Sequence, residues 1–335
     1  MIGTSRASVV IVNYNGSGFL RDCLQSVLSQ QPHEVILVDN ASSDESVALV
    51  AEEFPSVRIL VNPKNEGFAG GNNAGVAAAN GDIVVLLNND TVVKAGWLEP
   101  LEASLQNPAV GVVTSRVVTE GVPEEFYEVN GTINFLGYNI MRHFSDLSVV
   151  FFAGGASVAF RRKDVVYPFD PEYFLYHEDV FLSWRMRLKG MDVRMVQDSV
   201  VWHKGGGTTK REPDSRITFF QERNRLLNPM LFYQARTLFL LIPYFVADFL
   251  AKIALSILFG RKSFVGILRA YFWFVPNLSY VLNRRKELQS ERKVTDREIL
   301  RHMSTKVVES NSTVAGVLNG ISMVYAKLTG LAPNG

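Results

Sequence analysis

Acid and amide side chains follow three apolar runs in the first ninety residues, each at the point where a run ends. The runs read ASVVIVN, EVILVD and DIVVLL, and β-branched stretches of this length are typical of buried strands. The carboxyl ends of parallel strands meet at one edge of a sheet, which is where α/β proteins bind their ligands. Solvation alone does not explain this convergence, so the side chains form a candidate ligand site. They are Asn13, Asn15, Asp39, Asn40, Asn88, Asn89 and Asp90.

Strand and helix patterns alternate along this part of the chain. The predicted strands are Ala7–Asn13, Glu34–Asp39, Val57–Asn62 and Asp82–Leu87, and the predicted helices are Phe19–Gln30 and Ser43–Phe54. Gly67–Asn80 is interpreted as a glycine-rich loop that enters a helix of small residues. Strands that alternate with helices predict an α/β domain with a mostly parallel sheet.

Glycines after the first strand raise the question of a dinucleotide-binding loop. Gly16 and Gly18 begin the G-x-G-x-x-G fingerprint, but Arg21 stands where its third glycine belongs. The glycines between Gly67 and Gly75 do not match the fingerprint either. They indicate a backbone that comes close to another group, or tight packing of a helix on the sheet.

The composition allows a large core and disfavours several classes of protein. The chain has 335 residues, 47% of them hydrophobic and 20% charged, which argues against global disorder. A single cysteine, Cys23, excludes a disulfide framework and a cysteine-rich zinc cluster. Residues 1–229 hold 20 Lys and Arg against 27 Asp and Glu, whereas residues 230–335 hold 14 against 6. The acidic first part disfavours nucleic-acid binding, and the basic tail favours an anionic partner.

The tail contains a long apolar segment, Thr237–Phe259, and an aromatic-rich segment, Phe264–Leu282. As a helix, the first would be about 35 Å long, enough to cross a bilayer core. Asp248 and Lys252 lie near its middle, where charge is costly in lipid, and they place a polar stripe on one face. Three arrangements fit: helices lying in an anionic membrane surface, a hairpin packed on protein, and a transmembrane hairpin. We expect the first, with residues 230–335 as a helical, membrane-associating tail.

Several motifs, taken in order, resemble the inverting family 2 glycosyltransferases, and more narrowly their rhamnosyltransferase-like branch. The first four are VVIVNYNG, ILVDNASSD, NEGFAGGNNAG and LLNND. The later ones are AGGASVAFRRKDV, FDPEYFLYHEDVFLSWRMRLKG, VVWHKGGGT and ERNRL. The resemblance runs from about residue 7 to about residue 227 and implies a GT-A (Rossmann-like) nucleotide-sugar-binding domain over residues 1–229.

The resemblance implies a nucleotide-sugar donor bound together with Mg²⁺ or Mn²⁺. The D-x-D signature of the family corresponds to Asn88-Asn89-Asp90, in which an amide replaces the first acid. Asp39 would hold the base or ribose, while Asp90 and His203 would bind the metal. A carboxylate suits a hard cation that also bridges the donor phosphates. The implied donor contacts are Asn13, Asn15, Asp39, Asn40, Gly71, Asn72, Asn88, Asn89, Gly154, Gly155 and Lys204.

The catalytic base is implied by the E-D pair in YHEDVF. An inverting transfer needs one carboxylate to take the proton of the acceptor hydroxyl, and the motif places it at Asp179, with Glu178 as the alternative. Arg185 would orient these carboxylates. Phe181 replaces a second acid that is common in related sequences. As an alternative to catalysis, both acids would simply favour a helix N-terminus through the helix dipole.

Aromatic residues and a glycine loop complete the implied site. The loop Gly205–Thr209 would close over the leaving diphosphate, with Lys204 and Lys210 neutralising its charge. The aromatic side chains would either stack on sugars or pack in the core. They are Phe169, Tyr173, Phe174 and Tyr176.

The sequence therefore predicts a metal-dependent, inverting glycosyltransferase. It would move a hexose, or a deoxyhexose such as rhamnose from a dTDP donor, to a lipid-linked or polysaccharide acceptor at the cytoplasmic face of the membrane. Two alternatives stay open at this point. A sugar-1-phosphate nucleotidyltransferase would need a G-x-G-T-R-L-like loop, which the chain lacks. A membrane-tethered, non-catalytic binding scaffold is favoured only by the amide at Asn88.

Overall fold

The computed structural model describes residues 6–119, 131–140, 150–204, 214–259, 261–308 and 313–331. The chain divides into two compact units. The sheet unit takes Met1–Asn130, Arg142–Ser183 and Met191–Lys210, and the helical unit takes Gly131–Met141, Trp184–Gly190 and Arg211–Gly335.

The sheet unit is built on a sheet of eight described strands. They are β1 (Ala7–Asn13), β2 (Glu34–Asp39), β3 (Arg58–Val61), β4 (Ile83–Asn88), β5 (Thr91–Val93), β6 (Val110–Thr119), β7 (Ser157–Arg161) and β8 (Asp192–His203). Their spatial order is β3-β2-β1-β4-β7-β6-β8-β5. The first four strands run parallel, as predicted, while β7 is antiparallel to β4 and to β6. The sheet is therefore mostly parallel on its β1 side and mixed beyond β4.

Helices alternate with the strands along the chain; those predicted from the sequence have shifted ends, and the helix over Leu98–Ser104 was not predicted. These helices are α1 (Ser17–Leu28), α2 (Ser46–Glu53), α3 (Gly67–Ala78), α4 (Leu98–Ser104) and α5 (Glu178–Leu188). Helix α2 begins three residues later than predicted, because the Asp44 carboxylate accepts from the Ser46 amide at 3.1 Å and from the Ser17 amide at 3.0 Å. Leu20, Leu24 and Val27 of α1 are fully buried. The 3.6-residue period of apolar residues in α1 thus marks the face that covers the sheet.

Helix α3 corrects one expectation. The glycine-rich stretch that we interpreted as a loop is helical from Gly67 onward. A methyl group at Gly75 would overlap Cγ1 of Val10 and lie 3.1 Å from Cγ2 of Val38, so a side chain there cannot fit against β1 and β2. The glycines therefore let the helix backbone approach the sheet, in spite of the low helix propensity of glycine.

The helical unit contains α6 to α11. Their bounds are α6 (Ser215–Phe232), α7 (Ala235–Phe259), α8 (Arg261–Trp273), α9 (Leu278–Ser290), α10 (Asp296–Leu300) and α11 (Thr313–Thr329). Helix α6 packs on α8 and α9. The predicted domain boundary at residue 229 lies inside α6, and the aromatic-rich segment forms two helices that meet at 67°.

Charged side chains of α6 and α7 form one buried network inside the helical unit. Arg225 is 2% exposed and donates to Asp248 Oδ2 at 2.8 Å and to Glu222 Oε2 at 2.9 Å. Lys252 pairs with Glu222, and the Tyr138 hydroxyl donates to Asp248 Oδ1 at 2.6 Å. The charges of the polar stripe predicted on α7 are therefore paired within the protein, which offsets part of the cost of burying them.

The other face of α7 is apolar and exposed. Its exposed side chains are Phe239, Ile242, Val246 and Leu250. Helix α11, which the sequence reading did not single out, packs antiparallel on α7, because the Tyr325 hydroxyl donates to the Leu240 carbonyl and the Tyr244 hydroxyl to the Ser322 carbonyl. It also carries an exposed apolar stripe, namely Val317, Ile321, Val324 and Leu328. In the part of the chain that the structure describes, one helix, over Ala235–Ala254, is long and apolar enough to cross a membrane.

Two glycine substitutions test the packing of α3. Gly75→Ala should lower the free energy of unfolding by about 1–3 kcal/mol, because the new methyl group overlaps Val10. Gly18→Ala, in the first turn of α1 with no atom within 4 Å of the new methyl group, should raise it by about 0.5–1 kcal/mol. Urea unfolding of both variants measures the difference. Equal stability of the two variants would contradict the close approach of α3 to the sheet.

Candidate active site

The central strand β1 ends in an amide that joins two neighbouring strand ends. Asn13 is in register with Asp39, and its Nδ2 donates to Asp39 Oδ1 at 3.2 Å. Its Oδ1 accepts from Nδ2 of Asn89, directly after β4, at 2.7 Å. Asn13 and Asp39 are both buried. The structure thus brings the three polar strand ends together at one sheet edge, as the sequence predicted.

A serine that the sequence reading missed closes the turn after β2. The Ser42 hydroxyl accepts from the Asn15 amide at 2.9 Å and from Nδ2 of Asn13 at 3.2 Å. The Ser42 amide donates to Asp39 Oδ2 at 2.9 Å, so both oxygens of this carboxylate accept hydrogen bonds. Asn15 has a φ of 51°, and its Oδ1 accepts from the Ser43 amide at 2.7 Å. The bond from the Ser42 amide to Asp39 lies within one turn, as is usual for short polar residues, whereas the others join the turns after β1 and β2.

Gly16 explains the incomplete dinucleotide fingerprint. A methyl group on Gly16 would lie 2.6 Å from Oδ1 of Asn13 and would overlap Nδ2 of Asn89. The glycine is therefore required where the Asn13–Asn89 hydrogen bond passes beneath the backbone. The close approach that the glycine allows is to the protein's own amides.

The other predicted donor contacts on the nucleotide side build the first turns of α3. Nδ2 of Asn40 donates to the Gly67 carbonyl at 2.8 Å, and Nδ2 of Asn72 donates to the Phe68 carbonyl at 2.9 Å. A methyl group at Gly71 would lie 2.9 Å from Nδ2 of Asn40. Asn40 and Asn72 are buried by these contacts. Their contacts are structural, and a role in donor binding stays a prediction.

Asp90 and His203 come together where β5 pairs with the end of β8. Oδ1 of Asp90 lies 3.1 Å from Nε2 of His203, because Thr91 is in register with His203. The Lys204 amide donates to the Asp90 carbonyl at 3.0 Å, and its Nζ contacts Asp22 at 2.5 Å. Asp90 and His203 are far apart in sequence, and only the antiparallel pairing of β5 with β8 makes them neighbours.

The donor set at this place suits a hard divalent cation. Asp90 supplies a carboxylate and His203 an imidazole, while Oδ1 of Asn88 is buried without a hydrogen-bond partner in the described part of the chain. Within that part, no group of three or more His, Cys, Asp or Glu side chains could hold a metal ion. A cation here would therefore be bound by Asp90 and His203, and oxygens of the substrate would supply its further ligands.

Glu178 and Asp179 occupy the first turn of α5, as predicted. Oδ2 of Asp179 accepts from the Gly155 amide at 3.2 Å, and Oδ1 accepts from the Val180 amide at 2.7 Å. Glu178 is 6% exposed, and its Oε2 is buried with no hydrogen-bond partner in the described residues. The two acids therefore have different surroundings, although they are adjacent.

Burial raises the pKa of both carboxyl groups. At Glu178 the neighbouring charge of Asp179 raises the pKa further. At Asp179 the amides of Val180 and Gly155 stabilise the ionised form and oppose the rise. Asp179 therefore ionises first, and Glu178 keeps its proton at a pH where Asp179 is a carboxylate. This arrangement offers one base next to one neutral acid.

Arg185 is engaged within the helical unit. Its Nε and Nη2 donate to the two carboxylate oxygens of Glu291 at 2.8 Å and 2.5 Å, and Lys189 lies 3.4 Å from the same carboxylate. The sequence reading missed Glu291, which lies 106 residues further along the chain. The predicted role of Arg185 in orienting the carboxylates stays a prediction.

Of the four predicted aromatic side chains, two are core residues. Phe169 is 1% exposed and packs against Phe68, with 5.9 Å between ring centroids. Tyr173 is fully buried and packs on Phe181 at 5.2 Å. Stacking of these two rings on a sugar is therefore wrong for the structure described. Phe174 and Tyr176 are half-buried.

Three further predictions concern the loop and the glycines near the base. The loop Gly205–Thr209 and Lys210 lie outside the described residues. Gly155 lies directly at Asp179, where a methyl group would be 3.8 Å from Oδ2. The Gly154 carbonyl accepts from the buried Thr114 hydroxyl at 3.4 Å.

Comparison with known proteins identifies a family that this sequence resembles. Residues 8–166 match the family described as Glycosyl transferase family 2. An uncharacterized glycosyltransferase of Nostoc sp. is 27% identical over 232 residues, which are 65% of this chain and 70% of that protein. The pre-mycofactocin glycosyltransferase of Mycobacterium tuberculosis is 31% identical over 208 residues, 58% of this chain but only 42% of that protein.

A solved structure shares the fold. The crystal structure of GalNAc-T7 with UDP, GalNAc and Mn²⁺ superposes with a TM-score of 0.58 at 17% identity, over 70% of this chain and 49% of that one. The matched sequence segment contains the polar strand ends, and the fold expected from the motifs is confirmed. Over residues 8–166 the chain is similar to glycosyl transferase family 2, and its sheet unit has the GT-A fold.

Proposed function

We propose that the protein transfers a hexose or deoxyhexose from a nucleotide-diphosphate sugar to an acceptor hydroxyl, with inversion at the anomeric carbon. The observation that carries this proposal is the Asp179 carboxylate in the first turn of α5, which accepts from the Gly155 amide at 3.2 Å beside the buried Glu178. In one displacement the acceptor oxygen bonds to the anomeric carbon, the bond to the diphosphate breaks, and the proton goes to Asp179. Attack from the face opposite the leaving group inverts the configuration.

The donor is assigned to the edge formed by Asn13, Asp39 and Asn89. Amide and carboxylate side chains held in fixed positions suit hydrogen bonding to a base and ribose. The resemblance to family 2 implies that the nucleotide is held at this sheet edge. GalNAc-T7 is solved with UDP, which supports a nucleotide-diphosphate donor for this chain as well. A dTDP-linked deoxyhexose, expected from the rhamnosyltransferase-like motifs, belongs to the same class of donor.

A divalent cation fits the site at Asp90 and His203. These two side chains would hold it, and the donor phosphates would complete its ligands. When bound, Mg²⁺ or Mn²⁺ supplies positive charge at the diphosphate as it departs. GalNAc-T7 is solved with Mn²⁺, which supports the proposal. Lys204 lies next to this place, with its amide at the Asp90 carbonyl and its Nζ paired with the Asp22 carboxylate.

We place the protein at the cytoplasmic membrane surface, where it would meet a lipid-linked or polysaccharide acceptor. The exposed apolar faces of α7 and α11 support this placement, because apolar side chains grouped on one helix face are typical of a contact surface. Residues 230–335 carry 14 Lys and Arg against 6 Asp and Glu, which suits anionic lipid. The ion pairs of Asp248 and Lys252 are internal to the protein, so the polar stripe does not oppose contact of the other face with lipid.

A screen of nucleotide-sugars with and without Mg²⁺ or Mn²⁺ tests the transferase proposal. We expect one donor class to raise the melting temperature and to be hydrolysed slowly, and the metal to strengthen both effects. The Asp90→Asn variant should lose the metal dependence. No response to any nucleotide-sugar would contradict the proposal and favour a non-catalytic scaffold.

The base is tested by substituting each carboxylate and by the pH profile. Asp179→Asn should lower turnover by at least about a hundredfold with donor binding retained, whereas Glu178→Gln should keep most activity. Burial raises the pKa of Asp179. Turnover should therefore fall with falling pH, and the midpoint of this fall should lie at least about one unit above 3.9, the ordinary pKa of Asp. Near-normal turnover of Asp179→Asn would exclude it as the base.

Membrane association is tested by flotation of the full chain with phosphatidylglycerol or phosphatidylcholine vesicles. The chain should float with the anionic vesicles, and high salt should weaken this. Val246→Asp with Leu250→Asp should reduce binding at least about tenfold, because both side chains are exposed on α7. The matched control, Val61→Asp with Val166→Asp, changes equally exposed residues of the sheet unit and should float like the wild type. Equal flotation of both pairs would contradict the assigned surface.

A further inference from the structure

The turn that precedes Asp179 has an unfavourable backbone. Phe174, Tyr176 and His177 have φ values of 58°, 71° and 64°, in the left-handed region that favours glycine. None of the three is a glycine. Such a turn persists only where its surroundings hold it, and it lies directly before the proposed base.

The N-terminal end of α3 holds this turn. The Ala69 amide donates to the Phe174 carbonyl at 3.2 Å. Gly67 has a φ of 72°, and a methyl group on it would lie 2.6 Å from Cδ2 of Phe174 and would overlap the Phe174 carbonyl oxygen. The Gly67 carbonyl is itself fixed by Nδ2 of Asn40 at 2.8 Å. Gly67 therefore leaves the space that the Phe174 carbonyl occupies.

A second contact from α3 fixes the start of the same segment. Nδ2 of Asn73 donates to the Phe169 carbonyl at 2.8 Å, and the Phe169 amide donates to Oδ1 of Asn73 at 3.2 Å. Asn73 is 9% exposed, so both hydrogen bonds are shielded from water. The Phe68 ring packs against Phe169. Helix α3 thus holds the chain at residue 169 and again at residue 174.

The Phe174–His177 turn also determines where α5 begins. The His177 carbonyl accepts from the Phe181 amide at 3.0 Å, in the first turn of the helix. Asp179 lies between these two residues, and its Oδ2 must reach the Gly155 amide at 3.2 Å. A displacement of the turn would therefore move the carboxylate relative to Gly155.

We propose that Gly67 and Asn73 are positioning residues, which hold the Phe174–His177 turn so that the Asp179 carboxylate stands at the place where it accepts the proton. This inference rests on the proposed function, in which Asp179 is the base. Neither residue touches the reacting atoms. Both act through the turn.

Two glycines with the same backbone strain provide a matched test. Gly67 and Gly96 have φ values of 72° and 77°, but a methyl group on Gly96 has no atom within 4 Å. Gly67→Ala should lower kcat about a hundredfold, with the donor KM changed little, because the base is displaced. Gly96→Ala should keep kcat within about twofold of the wild type, since it introduces the same strain without the overlap.

Asn73 supplies a second set of variants, in case Gly67→Ala does not fold. Asn73→Ala removes both hydrogen bonds to Phe169 and should also lower kcat more than it changes the donor KM. Asn73→Asp keeps the acceptor for the Phe169 amide but sets a carboxylate oxygen against the Phe169 carbonyl, so it should not restore the loss. A purely structural role of Asn73 would lower the amount of folded enzyme and leave the kcat of the folded fraction unchanged.

Hydrogen exchange distinguishes failure of this inference from failure of the proposed function. Amides of residues 174–181 should exchange at least about tenfold faster in Gly67→Ala than in Gly96→Ala, whether or not a donor is turned over. Equal exchange in the two variants would overturn the inference. An active wild type with equal kcat in both variants would also overturn it. A wild type that transfers no sugar, with the exchange difference present, would contradict only the proposed function and the role of Asp179 in it.

Discussion

The buried amide of Asn13 joins the separate parts of the nucleotide edge. It donates to Asp39 and to Ser42 and accepts from Asn89, so one side chain at the end of β1 connects the loops after β2 and β4. An unpaired polar group at this depth would cost about 1–3 kcal/mol, so the three loops are constrained to positions where these bonds form. Gly16 has no side chain because the Asn13–Asn89 bond occupies that space.

The two parts of the proposed active site are built on different physical grounds. At Asp90 and His203 the antiparallel pairing of the short strand β5 with the end of β8 brings together two proposed metal ligands, which more than a hundred residues separate along the chain. At Glu178 and Asp179 the acids are adjacent in sequence, and their surroundings make them different. Burial acts on both, while amide donors at Asp179 favour the ionised form there. Adjacent carboxylates that ionise at different pH values can take different roles.

The helical unit reconciles charge with an apolar surface. Asp248 and Lys252 would be costly in lipid as isolated charges, but each is paired with α6 side chains on the face that packs inside the unit. The residues on the opposite face of α7, and those of α11, are left exposed. A helix can thus carry a charged stripe and an apolar stripe without conflict, because the stripes have different neighbours.

The sequence by itself determined the β-branched strands, their order along the chain and the polar residues at their ends, because burial on both faces of a parallel sheet leaves a continuous apolar run that is easy to identify. It also identified Glu178 and Asp179 at a helix start. It did not predict that GFAGGNN is helical, since the helix propensity of glycine is low and only the approach of α3 to Val10 makes glycine necessary. The partners of Asn73, Ser42 and Arg185 were decided by the tertiary structure alone, because hydrogen bonds between residues distant in sequence leave no periodic pattern.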